Sequence, residues 1–554
     1  MRLLKWAFPL FPLISALPQI TRQGKYLFDP SGNRFFIKGV AYQPQGTLAT
    51  DSASNEANGG FPEPSSFIDP LSSAQNCTRD LPYLKQLGVN AVRVYSVNSS
   101  LNHDDCMKMF DDAGIYVLLD VSLPLNGSID RSSPSWSTNL LNEYTTTINA
   151  FLKYDNILAF NIGNEVINLV SNTNAAPYVK AAARDIKAYL RGLGSSVLIG
   201  YSAVDGDADF RNTLAEYMSC GDDSISVDIY GLNNYEWCGN ETITSSNWNT
   251  ITSGFSSLPV VTYMSEYGCI FNPPRLWTEV TALFASPVSD VFSGGMAFSY
   301  FPTSDGYGMV TIDGNSVTTS DDFTRLSAQY NNTKPPTSIT KSSAPAVTTI
   351  SCPSENSTLL ASSTLPPTPD EAVCDCLNAN AFACLVKQSS ANSPTIVGAL
   401  IDYTCSLLGA NGGSCDPIGG NGSSGMYGSL SMCSPAIKLS YAMSAYYGTN
   451  PVSTSCDFAG NATLSPHPPN TAQDASTAAQ SCLAQQPSGG VYTISASSSV
   501  PTGSTTASGS GSSSTPSSSS GSSSSSAIRS SGTGWTVLFG LTGVLLGVVL
   551  GVRM

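Results

Sequence analysis

Eight short apolar runs separated by stretches of helical spacing constrain this 554-residue chain more than any single motif. They are Phe35 to Val40, Ala91 to Tyr95, Tyr116 to Val121, Ile157 to Ile162, Val197 to Tyr201, Val227 to Tyr230, Val260 to Tyr263 and Met296 to Tyr300. Runs of this kind read as strands buried on both faces, and intervening segments such as Thr78 to Leu87 and Pro177 to Leu193 carry apolar residues at helical spacing. Strand and helix in alternation predict an α/β fold, a (β/α)8 barrel whose strand C-termini share one face. The fourth run leads into Asn164-Glu165 and the seventh into Glu266. A retaining glycosidase needs two such carboxyls about 5 Å apart, one to protonate the leaving oxygen and one to attack the anomeric carbon. On this reading Glu165 is the acid/base and Glu266 the nucleophile, with Glu165 titrating higher than Glu266 in the free enzyme.

Composition removes competing chemistries. His103 and His467 are the only histidines, so a Ser-His-Asp triad or a multi-histidine metal site lacks raw material. His103, in Asn102-His-Asp-Asp-Cys106, is expected at a helix start. No phosphate-cradling glycine loop occurs, and a formal net charge of -15 is the wrong sign for a nucleic-acid partner. No metal, organic cofactor or obligate protein partner is called for.

Both termini read as addresses. Arg2 and Lys5 precede the apolar stretch Trp6 to Ile14 and then small Ser15 and Ala16, a secretory leader spanning 1–18. A Ser-rich stretch precedes the spacer Ala527 to Gly534, the apolar tail Trp535 to Val552 and only Arg553-Met554. That is a GPI-attachment pattern, with joining expected among Ser522 to Ala527 and assigned to Ser525; a single-span tail anchor is the alternative. Fourteen cysteines in an exported chain point to disulfides. Cys374-Asp-Cys376 is too tight for the usual zinc pair. Sequons stand at Asn76, Asn98, Asn126, Asn240, Asn331, Asn356, Asn421 and Asn461. The expected divisions are a leader at 1–18, the barrel at 19–335, a linker at 336–370, a cysteine-rich module at 371–485, a stalk at 486–526 and a GPI propeptide at 527–554.

The segments Gly39-Val-Ala-Tyr-Gln-Pro44, Arg93-Val-Tyr95, Asn161-Ile-Gly-Asn-Glu165-Val166, Asn234-Tyr-Glu-Trp-Cys238-Gly239, Ser265-Glu-Tyr-Gly-Cys269 and Tyr307-Gly-Met-Val310 occur in that order. Together they resemble the fungal glycoside hydrolase family 72 enzymes, GPI-anchored β-1,3-glucanosyltransferases of the cell wall. The cysteine-rich segment, with Gly425-Met-Tyr-Gly-Ser429 and Cys456-Asp-Phe-Ala-Gly460, resembles the X8 module, also called carbohydrate-binding module family 43. The resemblance implies that Asn164 contacts the sugar 2-hydroxyl, that Tyr235 hydrogen-bonds the nucleophile and that Gln43, Tyr95 and Asp120 line the donor cleft. Tyr300 and Tyr307 would stack on glucose, whose apolar faces suit aromatic rings. It also implies disulfides 77–106, 238–269 and 220–352 in the barrel, the last tying Cys352 of the linker back to it, and Cys374–Cys433, Cys376–Cys482, Cys384–Cys456 and Cys405–Cys415 in the module.

Two segments depart from the family pattern. After strand eight, where the family commonly carries an acidic residue or two, this chain reads Phe298-Ser-Tyr-Phe-Pro-Thr-Ser-Asp305. Gln45-Gly-Thr47 replaces the usual glycine-rich stretch. The implied function is cleavage of a β-1,3-glucan donor inside its chain and transfer of the new reducing end to a second, acceptor glucan at the surface of the plasma membrane or wall. A retaining endo-β-1,3-glucanase and a catalytically silent glucan-binding protein are the alternatives.

Overall fold

The computed structural model describes residues 17–48, 65–124, 127–346 and 348–486. The leader through residue 16, the Asn126 sequon, the stalk from residue 487, Ser525 and the propeptide lie outside the described residues.

Eight parallel strands close a barrel: β1 (Ile37–Ala41), β2 (Ala91–Val94), β3 (Tyr116–Asp120), β4 (Ile157–Asn164), β5 (Leu198–Val204), β6 (Ile229–Asn233), β7 (Val261–Tyr267) and β8 (Phe292–Ala297). β8 pairs with both β7 and β1, so no edge is left. Side chains alternate across each strand. Val92, Val94, Val117 and Leu119 turn outward into the layer shared with the helices. Ile37, Ala91, Leu118, Ala159, Ile229, Val261 and Met296 fill the interior, where Leu27 of an N-terminal antiparallel sheet and Ile20, just before that sheet, join them.

Helices α1 (Ala74–Leu87), α2 (Asp104–Asp112), α3 (Thr138–Phe151), α4 (Ala176–Gly192), α5 (Ala208–Ser219), α6 (Trp248–Phe255), α7 (Glu279–Leu283) and α8 (Asp321–Asn332) form the outer ring. α1 shows how sequence sets their limits. The Ser73 side chain accepts the Asn76 N–H at its start, Gly88 takes φ 76 at its end, and Cys77, Leu84 and Leu87 supply the buried face. His103 caps the start of α2, as expected, and its Nε2 lies 2.8 Å from Asp69.

Strand eight begins earlier than its apolar run predicts. Gly294 and Gly295 hide it, since glycine carries no apolar signal. Yet Gly294 has φ +86, and a Cβ there would lie 2.1 Å from the Ile37 carbonyl oxygen, so only glycine fits. Strands β5 to β7 run on past their apolar runs through Ser202, Asn233 and Ser265. Glu266 is therefore inside β7, whereas the sequence placed it after the strand.

The second domain packs helices α9 (Glu371–Asn380), α10 (Pro394–Ala410), α11 (Pro435–Thr449) and α12 (Ala472–Leu483) around a small core of Val373, Leu377, Phe382, Leu430 and Met432. Disulfides Cys374–Cys433, Cys376–Cys482, Cys384–Cys456 and Cys405–Cys415 supplement that core. The barrel carries Cys77–Cys106, Cys220–Cys352 and Cys238–Cys269. Of the described sequons, Asn98, Asn240, Asn331, Asn356 and Asn421 are exposed and Asn76 is half-buried. Asn461 fits a glycan poorly, because its amide nitrogen donates to Phe458 O at 2.9 Å.

The module is docked on the barrel. Thr138 N donates to Met432 O at 2.9 Å, and the rings of Tyr178 and Tyr427 meet edge to face at 5.6 Å. Beneath them, fully buried Asp185 accepts from Trp136 Nε1, from Thr368 Oγ1 of the linker (both 2.8 Å) and from Arg184. Asp185→Ala removes the acceptor these donors share. At roughly 1.5–3 kcal/mol for a hydrogen bond to a charged group, a clear loss of Tm and faster proteolysis within 353–370 are expected; calorimetry and timed digestion measure both, and an unchanged linker digestion rate would contradict the staple.

Candidate active site

The site forms where β2, β3, β4, β6 and β7 end. Arg93 points inward from β2, fully buried, and its guanidinium is shared among three strands. It donates to both oxygens of Asp120 on β3 (Nε 3.2 Å, Nη2 2.8 Å), to Asn164 Oδ1 at the end of β4 (2.8 Å) and to Glu266 Oε1 in β7 (3.3 Å). Burial alone would lower the Arg93 pKa, but the Asp120 charge overrides it and holds the cation well above its usual value.

Glu266 is 7% exposed. Beside Arg93, it accepts from Tyr95 Oη at 2.9 Å on Oε1 and from Tyr235 Oη at 2.8 Å on Oε2. Glu165 follows β4 directly in the left-handed region, with φ 50. Its Oε1 accepts from Asn233 Nδ2 at 2.6 Å, and the same amide reaches Asn164 Oδ1 at 3.2 Å. With Oδ1 occupied by two donors, the NH2 group of Asn164 is the part left for a sugar hydroxyl.

The other sequence-predicted residues divide. Tyr307 stands half-buried beside Tyr235 at 5.6 Å and Phe298 at 5.2 Å, so these rings make one aromatic wall. Asp120 lines the cavity, but Arg93 engages both of its oxygens, and its role is to hold that cation. Gln43 is a strut: its Oε1 accepts the N–H groups of Tyr95 (3.1 Å) and Ser96 (3.0 Å), and its Nε2 donates to Ile68 O. Tyr300 does not face the cleft. It is fully buried against Tyr42 and Phe301 and donates to Asp80 of α1 at 3.1 Å, because the chain after β8 turns Phe298 toward the Tyr235 and Tyr307 rings and Tyr300 toward the helix layer. Sequence reasoning missed Asn233 and Phe298. A polar pair, Asn233-Asn234, closing an apolar run was the available signal for the first; nothing local distinguishes Phe298.

A cavity of about 1190 Å³ runs from this centre, lined by Tyr95, Asp120 and Asn164 of the barrel and by Asn378, Gln388 and Asn392 of the module. It is larger than the usual small-molecule site and open to an extended ligand.

Burial pushes Glu266 up to about 7, against Arg93 and with a further push from Glu165. Burial raises Glu165 too, opposed by the Asn233 hydrogen bond and by Arg93 and Arg131. Sequence reasoning set Glu165 above Glu266; in the structure burial raises both, and it is Glu266 that is carried up to about 7. The Arg93 guanidinium and the two phenols aimed at Glu266 oppose that rise and favour its ionised form.

A raised folded-state pKa means that folding favours the protonated carboxyl, so the Glu266 contribution to stability is present below about pH 4.3 and is lost as pH rises through about 7. Glu266→Gln, neutral throughout, is expected to gain roughly 3 kcal/mol on the parent protein across that window. Tm measured for both from pH 4 to 8 checks this; a pH-independent difference would contradict it.

The profile of the Glucanosyltransferase family of glycosyl hydrolases, family 72, matches residues 12–334, and that of the X8 domain matches 382–463. The chain is 42% identical to the 1,3-beta-glucanosyltransferase gas1 of Schizosaccharomyces pombe over 80% of its own length and 78% of the relative's. It is 38% identical to the 1,3-beta-glucanosyltransferase GAS2 of Saccharomyces cerevisiae over 78% and 76%. The structure of Saccharomyces cerevisiae Gas2p in complex with laminaripentaose superimposes with a TM-score of 0.71 at 36% identity, covering 81% of this chain and 98% of that one. With a closed barrel bearing two coupled glutamates and a docked X8 domain, this chain belongs to the family 72 glucanosyltransferases.

Proposed function

We propose that this protein cuts a β-1,3-glucan within its chain and joins the new reducing end to the non-reducing end of a second β-1,3-glucan by double displacement. The observation that carries the reading is Glu266, held at a strand end by two phenols and a guanidinium and electrostatically coupled to Glu165. The laminaripentaose held by the Gas2p structure supports the substrate class.

In the first step a Glu266 oxygen attacks the anomeric carbon. The glycosidic C–O bond breaks, and the Glu165 proton goes to the departing oxygen. Tyr95, Tyr235 and Arg93 favour the Glu266 anion that attacks, and Asn164 offers its NH2 group to the 2-hydroxyl. In the second step Glu165, now ionised, removes the proton from the acceptor 3-hydroxyl as that oxygen displaces Glu266. Two inversions return the β configuration. Tyr307, Tyr235 and Phe298 form the wall on which acceptor glucose stacks. We assign the protein to the cell surface from its leader and apolar tail, with a GPI anchor at Ser525.

Residues 19–485 incubated with a reduced β-1,3-gluco-oligosaccharide of defined length should give products both shorter and longer than the starting sugar by mass spectrometry. Only shorter products would make the protein a hydrolase; unchanged sugar would make it a binding protein. Glu165→Gln is expected to slow turnover by roughly 10²–10⁴-fold.

A further inference from the structure

The acid/base occupies a backbone conformation that glutamate rarely adopts. A non-glycine residue at φ 50 costs on the order of 1–3 kcal/mol and persists only where its surroundings over-determine it. Here the turn is fixed from two sides. From β5, Ser202 O accepts the Glu165 N–H at 2.8 Å and the Tyr201 hydroxyl accepts the Ile167 N–H at 3.1 Å. From the segment between β3 and α3, Arg131 Nη2 donates to Glu165 O at 2.8 Å and Arg131 Nε to Val166 O at 3.1 Å. One planar guanidinium thus holds two successive carbonyls, a geometry that a lysine ammonium cannot reproduce. Arg131 also lines the cavity on the side the module faces.

We propose that Arg131 is a positioning residue for the acid/base: its fork on the Glu165 and Val166 carbonyls fixes the left-handed turn that aims the Glu165 carboxyl at the leaving oxygen. This rests on the assignment of Glu165 as acid/base. Burial raises Glu165, and the Arg131 charge joins the Asn233 hydrogen bond and Arg93 in opposing that rise.

The test separates protonation from the rest of catalysis. Arg131→Met and Arg131→Lys, in the full secreted protein, are assayed on an unactivated β-1,3-gluco-oligosaccharide and on a 2,4-dinitrophenyl β-laminarioside, whose leaving group departs without a proton. With the turn loosened, kcat on the oligosaccharide should fall about 10²-fold, the cost of a misplaced catalytic group, while KM and the burst rate of dinitrophenolate release stay near the parent values. Arg131→Met should also move the alkaline limb of kcat/KM upward, because a charge that favours the Glu165 anion is gone; Arg131→Lys should lose kcat and leave the limb in place. Equal losses on both donors, or none on either, would overturn the proposal. Glu165→Gln is run beside them: if it lacks the same split between donors, the acid/base assignment fails and not the role of Arg131.

Discussion

The Arg93 guanidinium at the centre of the barrel joins the parts that chemistry requires. It reaches Asp120, Asn164 and Glu266, three side chains on three strands that meet only because the barrel closes. A fully buried cation is costly to desolvate, and that cost is offset only if partners surround it. Asp120 supplies the full opposite charge, and the Tyr95 ring lies 4.2 Å from the guanidinium carbon. Burial raises Glu266 by more than the Arg93 charge lowers it, and the Glu165 charge adds to the rise, which is why Glu266 stays raised while touching an arginine. The same guanidinium therefore holds the nucleophile in place and leaves it less than fully stabilised as an anion. Those are the two conditions an attacking carboxylate needs.

The barrel was legible because its strands are buried on both faces, so each appears in sequence as an unbroken apolar run. The signal failed where packing asked for something other than an apolar side chain. Gly294 and Gly295 let β8 press against Ile37 and Met264, while Ser202 and Ser265 belong to the polar layer at the strand tops. The two glutamates stood out because strand ends on one face are few. Tyr300 was misread because nearness to the cleft along the chain does not say which way a side chain turns. Asn233 and Arg131 act through contacts 68 and 34 residues away in sequence, and no local pattern announces such contacts.

The two segments that depart from the family pattern touch each other. Ser304 N donates to Gln45 Oε1 at 2.7 Å, and Gln45 Nε2 donates to Ser304 Oγ at 3.2 Å. The Ser304 loop is closed by Thr303, whose backbone N–H donates to Tyr307 O and whose Oγ1 accepts the Tyr307 N–H, both at 3.0 Å. A neutral amide–hydroxyl pair thus joins the β1 and β8 loops and fixes the segment that presents Tyr307, whose phenol also feels the charge of Asp305.

The cleft consequently has two unlike sides. Toward β6 and β8 lie the rings of Tyr235, Phe298 and Tyr307; toward β2, β3 and β4 the cavity continues between barrel and module, with polar residues such as Asp120, Asn164 and Asn392 interleaved with apolar ones such as Leu140, Val397 and Ile437. Transfer and hydrolysis share the glycosyl-enzyme and differ only in what attacks it. A tenfold preference between sugar and water needs about 1.4 kcal/mol, and an aromatic contact supplies energy of that order beyond simple burial. The decision can therefore rest on one or two of these rings. Asp185 and the Cys220–Cys352 bridge tie the linker to the barrel, so the segment that carries the module is fixed to the barrel at two points.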